Sequence, residues 1–415
     1  MDPVIRPANS ALLLKLQTAE DVAAVPAAGT DALPVEVDSI SYTGPFRAEA
    51  ANETNGSLVT GSPLVVGQPS TVRFRSRVKG PNATVTVNNK PPLHQAFQAC
   101  GMRGQFTAAV AAEALAAGGP STITLGASYS GTAQLYRGMP LILSGLPIGV
   151  PGHQPLIINY TSAKVATLSD DFQTLLGANL TVSTLAALPA NWTYAGTSPR
   201  DAAARGTDHP AATIYLFEDG VLHQWVNCRG ICDFEGDSSR PGFAVFEFSG
   251  TYVGTGTDAA VPADLVVANH SAPLLNKGGG VAPAVVIGRK LLPIARWASR
   301  TGGGIESPDD PNTEYGFGAG QLADRAPEFT CDPLATLVSV RNTLNDIKNF
   351  TQYPAVLRFG TAVGNQWALL HPRVQPVSRE AGMRGRLRSF DLTFRATSAG
   401  RDSQDRDGDR YVTFY

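Results

Sequence analysis

The chain has 415 residues, 43% of them hydrophobic, which is enough for two or three domains with sizeable cores. Only 16% of the residues are charged, and the formal net charge is −2. This charge balance argues against a protein that binds nucleic acid tightly, because such binding needs a basic surface that displaces counterions from phosphates.

The remaining composition points to a mainly β protein. The 42 glycines and 30 prolines favour short strands and turns over long helices. The low charge suggests that much of the surface is hidden in an assembly. The start of the chain lacks a secretory signal pattern and no run approaches 18 apolar residues, so we expect no export and no membrane-spanning helix. Four dispersed cysteines predict free, buried thiols (Cys100, Cys228, Cys232 and Cys331).

The first predicted elements are a strand and a short helix. Residues 72–78 alternate apolar and polar side chains, which is typical of a half-buried strand. Residues 93–102 place Leu93, Phe97 and Cys100 on one helical face. A β-rich segment follows at 122–194, with apolar runs at 141–143, 156–160 and 164–168. We predict that it is a small barrel-like module inserted in a loop.

A β meander is predicted at 213–253. Residues 214–217 form a strand, Asp219-Gly220 supplies the positive φ of a tight turn, and 221–226 return. Residues 243–248 alternate again. A Pro-, Ala- and Gly-rich linker is expected at 261–290.

A second meander is predicted near the C-terminus, with strands at 355–359 and 365–370 around a turn at 360–364. Aligning the meanders without a gap places Trp225 opposite Trp367 and Phe217 opposite Phe359. Before the second meander, 333–347 is predicted to be a helix capped by Asp332. Its expected buried stripe is Leu334, Leu337, Val338, Leu344 and Ile347.

These elements predict a mainly β fold with two tandem β-sandwich or barrel domains, each with a short helix, plus the inserted module. The first domain comprises 1–121 and 195–260, the module 122–194, and the second domain 261–415.

Several stretches in this order resemble the tail tube, or major tail, proteins of long-tailed bacteriophages. Residues 213–230 are similar to that family's strand, Asp-Gly turn, strand and Arg-Gly pattern, and 242–252 and 257–262 follow as they do there. Residues 64–67, 97–101, 364–367, 372–376 and 409–415 also resemble it. Residues 135–143 and 158–168 resemble a small β module of phage structural proteins.

The resemblance implies a virion protein, assembled in the host cytoplasm, whose rings stack into a tail tube through which double-stranded DNA passes without specific binding. A chain with two tube units is expected to form homotrimeric rings with pseudo-sixfold symmetry, with the module outside. Expected partners are further copies, the tail terminator, the tape measure and the distal tail proteins, and no membrane. Stacking is expected through 45–63 and 315–328, with these candidate contacts: Phe46, Arg47, Asn55, Leu58, Tyr315, Phe317 and Arg325.

Chemical alternatives are weaker. We expect no catalytic residues and no cofactor, because the six histidines form no HExxH motif, Cys228 and Cys232 are not a CxxC pair, and 126–131 is not GxSxG. A calcium site is conceivable at Asp405, Asp407 and Asp409, next to Asp402, but the glutamate that closes an EF-hand loop is absent. A hairpin turn between 390–396 and 411–415 explains these residues as well.

Two other classes of protein stay open. Eight Asn-x-Ser/Thr sequons would suit a secreted, adhesin-like β glycoprotein (Asn52, Asn55, Asn82, Asn159, Asn179, Asn191, Asn269 and Asn349). Another phage tail or baseplate component is the second alternative.

Overall fold

The computed structural model describes residues 4–50, 53–54, 56, 59, 61–146, 153–276, 283–313 and 315–415. As the sequence predicts, the protein is mainly β, with 44% of its residues in strands and 7% in helices. The helices are short: α1 (His94–Ala99), α2 (Phe172–Leu176), α3 (Ala202–Asp208) and α4 (Thr343–Lys348), with a 3₁₀ turn at Val37–Ser39.

The strands up to the first meander are β1 (Ser10–Leu16), β2 (Ser41–Tyr42), β3 (Phe46–Glu49), β4 (Leu64–Gly67), β5 (Ser70–Arg77), β6 (Met102–Thr107), β7 (Val110–Ala114), β8 (Thr122–Thr124), β9 (Ile142–Ser144), β10 (Ile157–Tyr160), β11 (Val165–Leu168), β12 (Leu185–Leu188), β13 (Asn191–Thr197), β14 (Ala212–Glu218), β15 (Val221–Asp237), β16 (Phe243–Tyr252) and β17 (Thr257–Asp258). The later strands are β18 (Val285–Ile287), β19 (Lys290–Leu291), β20 (Arg296–Arg300), β21 (Ile305–Glu306), β22 (Gln321–Leu322), β23 (Glu328–Cys331), β24 (Tyr353–Phe359), β25 (Trp367–Arg384), β26 (Leu387–Ala396) and β27 (Arg406–Phe414).

The order of strand pairing occurs twice along the chain. In the first unit, β1, β14, β15, β16, β5 and β2 pair in that order, each antiparallel to the next. In the second unit, β18, β24, β25, β26, β23 and β20 pair in the same order. A short helix, α1 or α4, follows β5 or β23 at the equivalent point of each unit.

The residue alignment of the two meanders is nevertheless wrong. Phe217 pairs with Leu222 across a two-residue turn, whereas Phe359 pairs with Trp367 across the longer segment 360–366. Trp225 pairs instead with Ile214, and it lies three residues further from the turn than Leu222, the residue that pairs with Phe217. The equal sequence spacing is therefore a coincidence, because the two turns differ in length and shift the register.

The two units share one core. Residues 234–237 of β15 pair with 296–299 of β20, which joins the units edge to edge. At this junction, Trp297 of β20 lies against Phe359, with ring centroids 5.6 Å apart, and Phe359 stacks on Trp367, with ring centroids 3.9 Å apart. Truncating such a buried aromatic to alanine typically costs about 3–5 kcal/mol. The junction is thus as well packed as the units themselves.

The predicted helix at 333–347 is wrong over most of its length. The helix begins at Thr343, where the Asn342 side chain accepts the Asn345 N–H. The Asp332 carboxylate instead accepts the N–H groups of Ala295 and Arg296 at the start of β20, at 2.8 and 2.7 Å. Tertiary hydrogen bonds from the backbone N–H groups of Leu334 and Ala335 to the carbonyls of Pro293 and Arg388 hold the start of this segment out of a helix. The predicted stripe also fails, since Leu337, Val338 and Leu344 are exposed.

Between α1 and β14 lies a small module with its own core. It contains two three-stranded sheets, β10-β11-β8 and β7-β12-β9, around a cluster that includes Tyr129, Leu141 and Phe172. These sheets begin at Val110 and end at Leu188, so their limits differ from the predicted boundaries at 122 and 194. The flanking strands β6 and β13 pair with each other, and β13 pairs with β27 of the second unit.

A buried ion cluster fixes the module to the second unit. Arg358 on β24 donates to both carboxylate oxygens of Asp170, at 2.7 and 2.9 Å, and to the carbonyls of Gln154 and Pro283. The His153 Nε2–H donates to the same carboxylate at 2.7 Å. Arg358 and Asp170 are fully buried. Burial alone would raise the pKa of Asp170, but Arg358 and His153 outweigh it and hold that pKa below its usual value.

Three histidines are buried in their neutral form. Burial, with smaller contributions from nearby cations, lowers the pKa of His94 to about 4 and those of His209 and His371 to about 3. The His371 Nδ1–H donates to the Asp409 carbonyl, while Nε2 accepts from the Ser299 hydroxyl. A protonated ring could not keep both bonds.

We expect the protein to lose stability as the pH falls from about 6.5 towards 4. The unfolded chain takes up protons near the usual histidine pKa of about 6.5, whereas the folded chain does not, so each histidine favours unfolding by up to about 1.4 kcal/mol per pH unit. Chemical denaturation at pH 7 and pH 5 measures this, since most carboxylates stay ionised there. The variant His371→Gln should weaken the dependence. Equal stability at both pH values would contradict the assignment.

Candidate functional site

The most distinctive surface is a strip of eight antiparallel strands that crosses both units. Its order is β2, β5, β16, the second half of β15, β20, β23, β26 and the second half of β25. Each unit contributes four strands, and the β15–β20 pairing is the junction between the two sets. We refer to this surface as the eight-stranded strip.

One face of the strip is apolar and covers the core, whereas the other is polar and open. Along β5 the side chains alternate, with Val72 and Phe74 buried and Arg73 exposed, as period-two patterning requires. Directly paired residues share a face, so Arg73, Glu247 and Ile231 lie side by side on the polar face. Two hollows of about 540 Å³ lie along this face.

Carboxylates outnumber guanidinium groups on the polar face. The carboxylates are Glu36, Asp38, Asp233, Glu235, Asp237, Glu247, Glu328, Asp332, Glu380 and Asp391, and the guanidinium groups are Arg73, Arg75, Arg77, Arg296, Arg300, Arg384 and Arg395. Several are paired across strands, such as Arg73 with Glu247 at 2.6 Å and Arg75 with Glu36 at 2.6 Å. The face therefore carries mixed charge with an acidic excess.

The strip has an open edge at each end. Residues 375–384 of β25 pair with β26 on one side, and no described strand pairs with their other side. At the opposite end, β2 pairs with β5 alone among the described strands. An unpaired strand edge presents free N–H and C=O groups and is a template for another chain.

An exposed apolar patch lies near the β25 edge. It consists of Leu337, Val338, Val340, Leu344 and Phe350, which are 52–75% exposed, and α4 lies against β25. Contiguous apolar groups of this kind usually mark an interaction surface. The patch contains three of the five stripe residues that the sequence predicted to be buried, namely Leu337, Val338 and Leu344, whereas Leu334 and Ile347 are partly buried.

The two loops predicted as stacking contacts leave the same end of the strip. They connect β2 to β5 and β20 to β23, and antiparallel pairing places both connections at one rim. The tight turns 238–242 and 385–386 lie at the other rim. Phe46, 48% exposed, packs edge-on against Tyr315 with ring centroids 5.1 Å apart. The structure thus brings these two loops together.

The other predicted loop residues have separate positions. Arg47 is exposed on β3 and pairs with Glu49 at 2.7 Å. Phe317 forms an isolated bridge with Asp309. Arg325 is largely buried and pairs with Asp407, so its charge is balanced by a residue of the same chain. Asn55 and Leu58 lie outside the described residues.

Three of the four aspartates near the C-terminus are bound to arginines, whereas Asp409 is buried and its Oδ1 has no hydrogen-bond partner among the described residues. Asp405 pairs with Arg200, Asp407 with Arg325, and Asp402 with Arg406. Within the described ranges, no group of three or more His, Cys, Asp or Glu residues is placed to hold a metal ion. The hairpin expected between 390–396 and 411–415 is wrong: β26 and β27 both pair with β25, on different halves.

The remaining chemical candidates are structural. All four cysteines are free and buried, as predicted, and burial raises the pKa of their thiols, so they are poor nucleophiles. Asn191, one of the sequon asparagines, is fully buried in β13 and is inaccessible to glycosylation in the folded chain. No helix in the described part of the chain is long and apolar enough to span a membrane.

Sequence reasoning missed β20, because burial alternates along Arg296–Arg300 but hydrophobicity does not: the polar Ser299 is buried and the apolar Ala298 is partly exposed. Because β20 was not predicted, the sequence did not predict the β15–β20 junction between the two units. The chain matches no family model and no curated protein.

Proposed function

We propose that the protein is a tail tube subunit of a long-tailed bacteriophage, whose rings stack into a conduit for DNA. Its place would be the virion tail, after assembly in the host cytoplasm. Its partners would be further copies of itself and the terminator, tape measure and distal tail proteins.

The observation that carries this proposal is the eight-stranded strip with an open edge at each end. Inside the chain, β15 of the first unit pairs with β20 of the second. By the repeated pairing order, β25 occupies the place of β15, and β2 that of β20. Pairing β25 with β2 of the next copy would repeat the internal junction. Such a head-to-tail contact closes into a ring when the rotation permits.

This arrangement favours three chains per ring. Each chain supplies two units related by the internal junction, so three chains stand in for six units. Closure would also pair both open edges and remove an aggregation hazard. The apolar patch near β25 would be covered at the same contact.

The polar face suits the lining of a DNA conduit. Its acidic excess would give DNA phosphates no net attraction, whereas a basic lining would hold the duplex by counterion release. The two rims suit stacking, because the long loops at one rim of a ring would contact the tight turns at the opposite rim of the next ring. The module lines neither hollow of the polar face, which supports a position for it on the outside of the proposed ring.

Negative-stain electron microscopy of purified protein, over a range of concentrations, tests the proposal. We expect stacked rings with threefold symmetry and a continuous central channel. Persistent monomers would overturn the proposal. Single rings that never stack would favour a terminator or baseplate component instead, and rings of six chains would refute the pseudo-sixfold argument.

A further inference from the structure

A cationic cleft of about 980 Å³ lies between the module and the second unit. The module contributes Arg137 and Asn159, and the second unit contributes the β18–β19 turn and residues 338–354. The cleft contains none of the charged residues of the polar face, although Val338 and Val340 belong both to the cleft and to the exposed apolar patch. Its size is in the range of small-molecule sites.

The charge in this cleft is one-sided. Five cations line it, Arg137, Arg289, Lys290, Arg341 and Arg373, against one carboxylate, Asp346. Within the described part of the chain, none of the five forms an ion pair. Cations without an ion-pair partner are therefore concentrated in this cleft, although the protein as a whole has a net charge of −2.

Neighbouring carbonyls hold some of these side chains in place. The Lys290 ammonium donates to the Val340 carbonyl at 2.8 Å, and Arg341 donates to the Ile287 carbonyl at 3.1 Å. The Arg341 guanidinium also lies over the Tyr353 ring, 5.2 Å from its centroid. The cationic wall is thus built before any ligand arrives, which reduces the entropy that binding would cost.

Several donors in this wall have no partner. The Nε–H groups of Arg137, Arg289 and Arg341 are buried and make no hydrogen bond within the described residues. Arg137 is only 4% exposed, and its Nη1 donates to the Gly400 carbonyl at 2.7 Å. A buried donor without an acceptor is unfavourable. A ligand rich in acceptor oxygens that reached these groups would supply the missing acceptors.

We propose that this cleft binds a small, multiply charged oxyanion of the phosphate class. Guanidinium groups match phosphate oxygens with paired, charge-assisted hydrogen bonds, and several cations in one cleft favour a ligand with more than one negative charge. The site would join the module to the second unit through the ligand.

Isothermal titration of the full chain with pyrophosphate tests this proposal. We expect saturable one-to-one binding that weakens with added salt, and a raised melting temperature. Orthophosphate should bind less tightly. Absence of saturable binding at millimolar pyrophosphate would overturn the proposal, as would citrate binding in its place, since citrate carries carboxylates.

Two exposed cleft residues allow a variant that should still fold. Lys290→Gln with Arg373→Gln should weaken pyrophosphate binding at least about tenfold, since it removes two of the five cations that line the cleft. Arg386→Gln, an exposed arginine on the β25–β26 turn, is the matched control and should leave affinity unchanged. Equal weakening in both variants, or none in the cleft variant, would show that binding occurs elsewhere.

Discussion

A chain carrying Ala381→Pro and Met383→Pro is expected to fold as the original does and to form no rings. Both residues lie on the open half of β25, and both are exposed. Gly385 and Arg386 form the two-residue turn of this hairpin, so the flanking pair, Arg384 with Leu387, is hydrogen-bonded. Because such pairs alternate, the N–H groups of Ala381 and Met383 point away from β26.

Proline at these positions therefore removes donors from the open edge alone. An edge strand tolerates proline where the missing N–H faces solvent, so the melting temperature should change little. In a ring, the loss of two hydrogen bonds costs about 2 kcal/mol per junction, or about 30-fold in association, and the proline rings add steric conflict. Sedimentation velocity and electron microscopy measure the outcome.

The matched control is Ala381→Ser with Met383→Gln. It changes the same two side chains and keeps both N–H groups, so rings should form. Rings from the proline variant at the original concentration would contradict the proposal that this edge joins the copies. A proline variant that is itself unfolded would show that residues 381 and 383 serve the ladder with β26, against the pairing deduced above.

Arg358→Met is expected to cost about 3–5 kcal/mol in the free energy of unfolding, because it leaves the buried carboxylate of Asp170 without its main partner. Arg358 also donates to the Gln154 and Pro283 carbonyls, and both would lose a hydrogen bond. Chemical denaturation, with limited proteolysis of the module, measures the loss. The module should become the first part of the chain to be cleaved.

Two further variants separate the charge effect from general damage. Arg240→Met removes an exposed arginine whose pair with Asp237 is 3.5 Å long, and should cost less than about 1 kcal/mol. Adding Asp170→Asn to Arg358→Met removes the stranded charge and should restore part of the stability. If Arg358→Met were no more harmful than Arg240→Met, the ion cluster would not hold the module.

Local sequence patterns predicted some of the strands, such as β5, β14 and β24, and missed others, such as β1 and β20. The alternation in β5 and the Asp219-Gly220 turn depend on side-chain periodicity and on positive φ, which neighbouring residues determine. The helix predicted at 333–347 was wrong because contacts with distant parts of the chain, and not neighbouring residues, determine the conformation of this segment. Its apolar spacing suits a helix, but Asp332 caps the start of β20 and hydrogen bonds hold Val340 and Arg341 against the β18–β19 turn.

The sequence by itself determined the β class, the two meanders, the buried thiols and the position of the extra module. The tertiary structure alone decided the equivalence of the units, because the turns after Glu218 and Phe359 differ in length and no ungapped alignment shows the true register. It also decided where the cations and open edges lie. Arg137 and Arg373 are far apart in the chain, and only folding of the module onto the second unit brings them to one cleft.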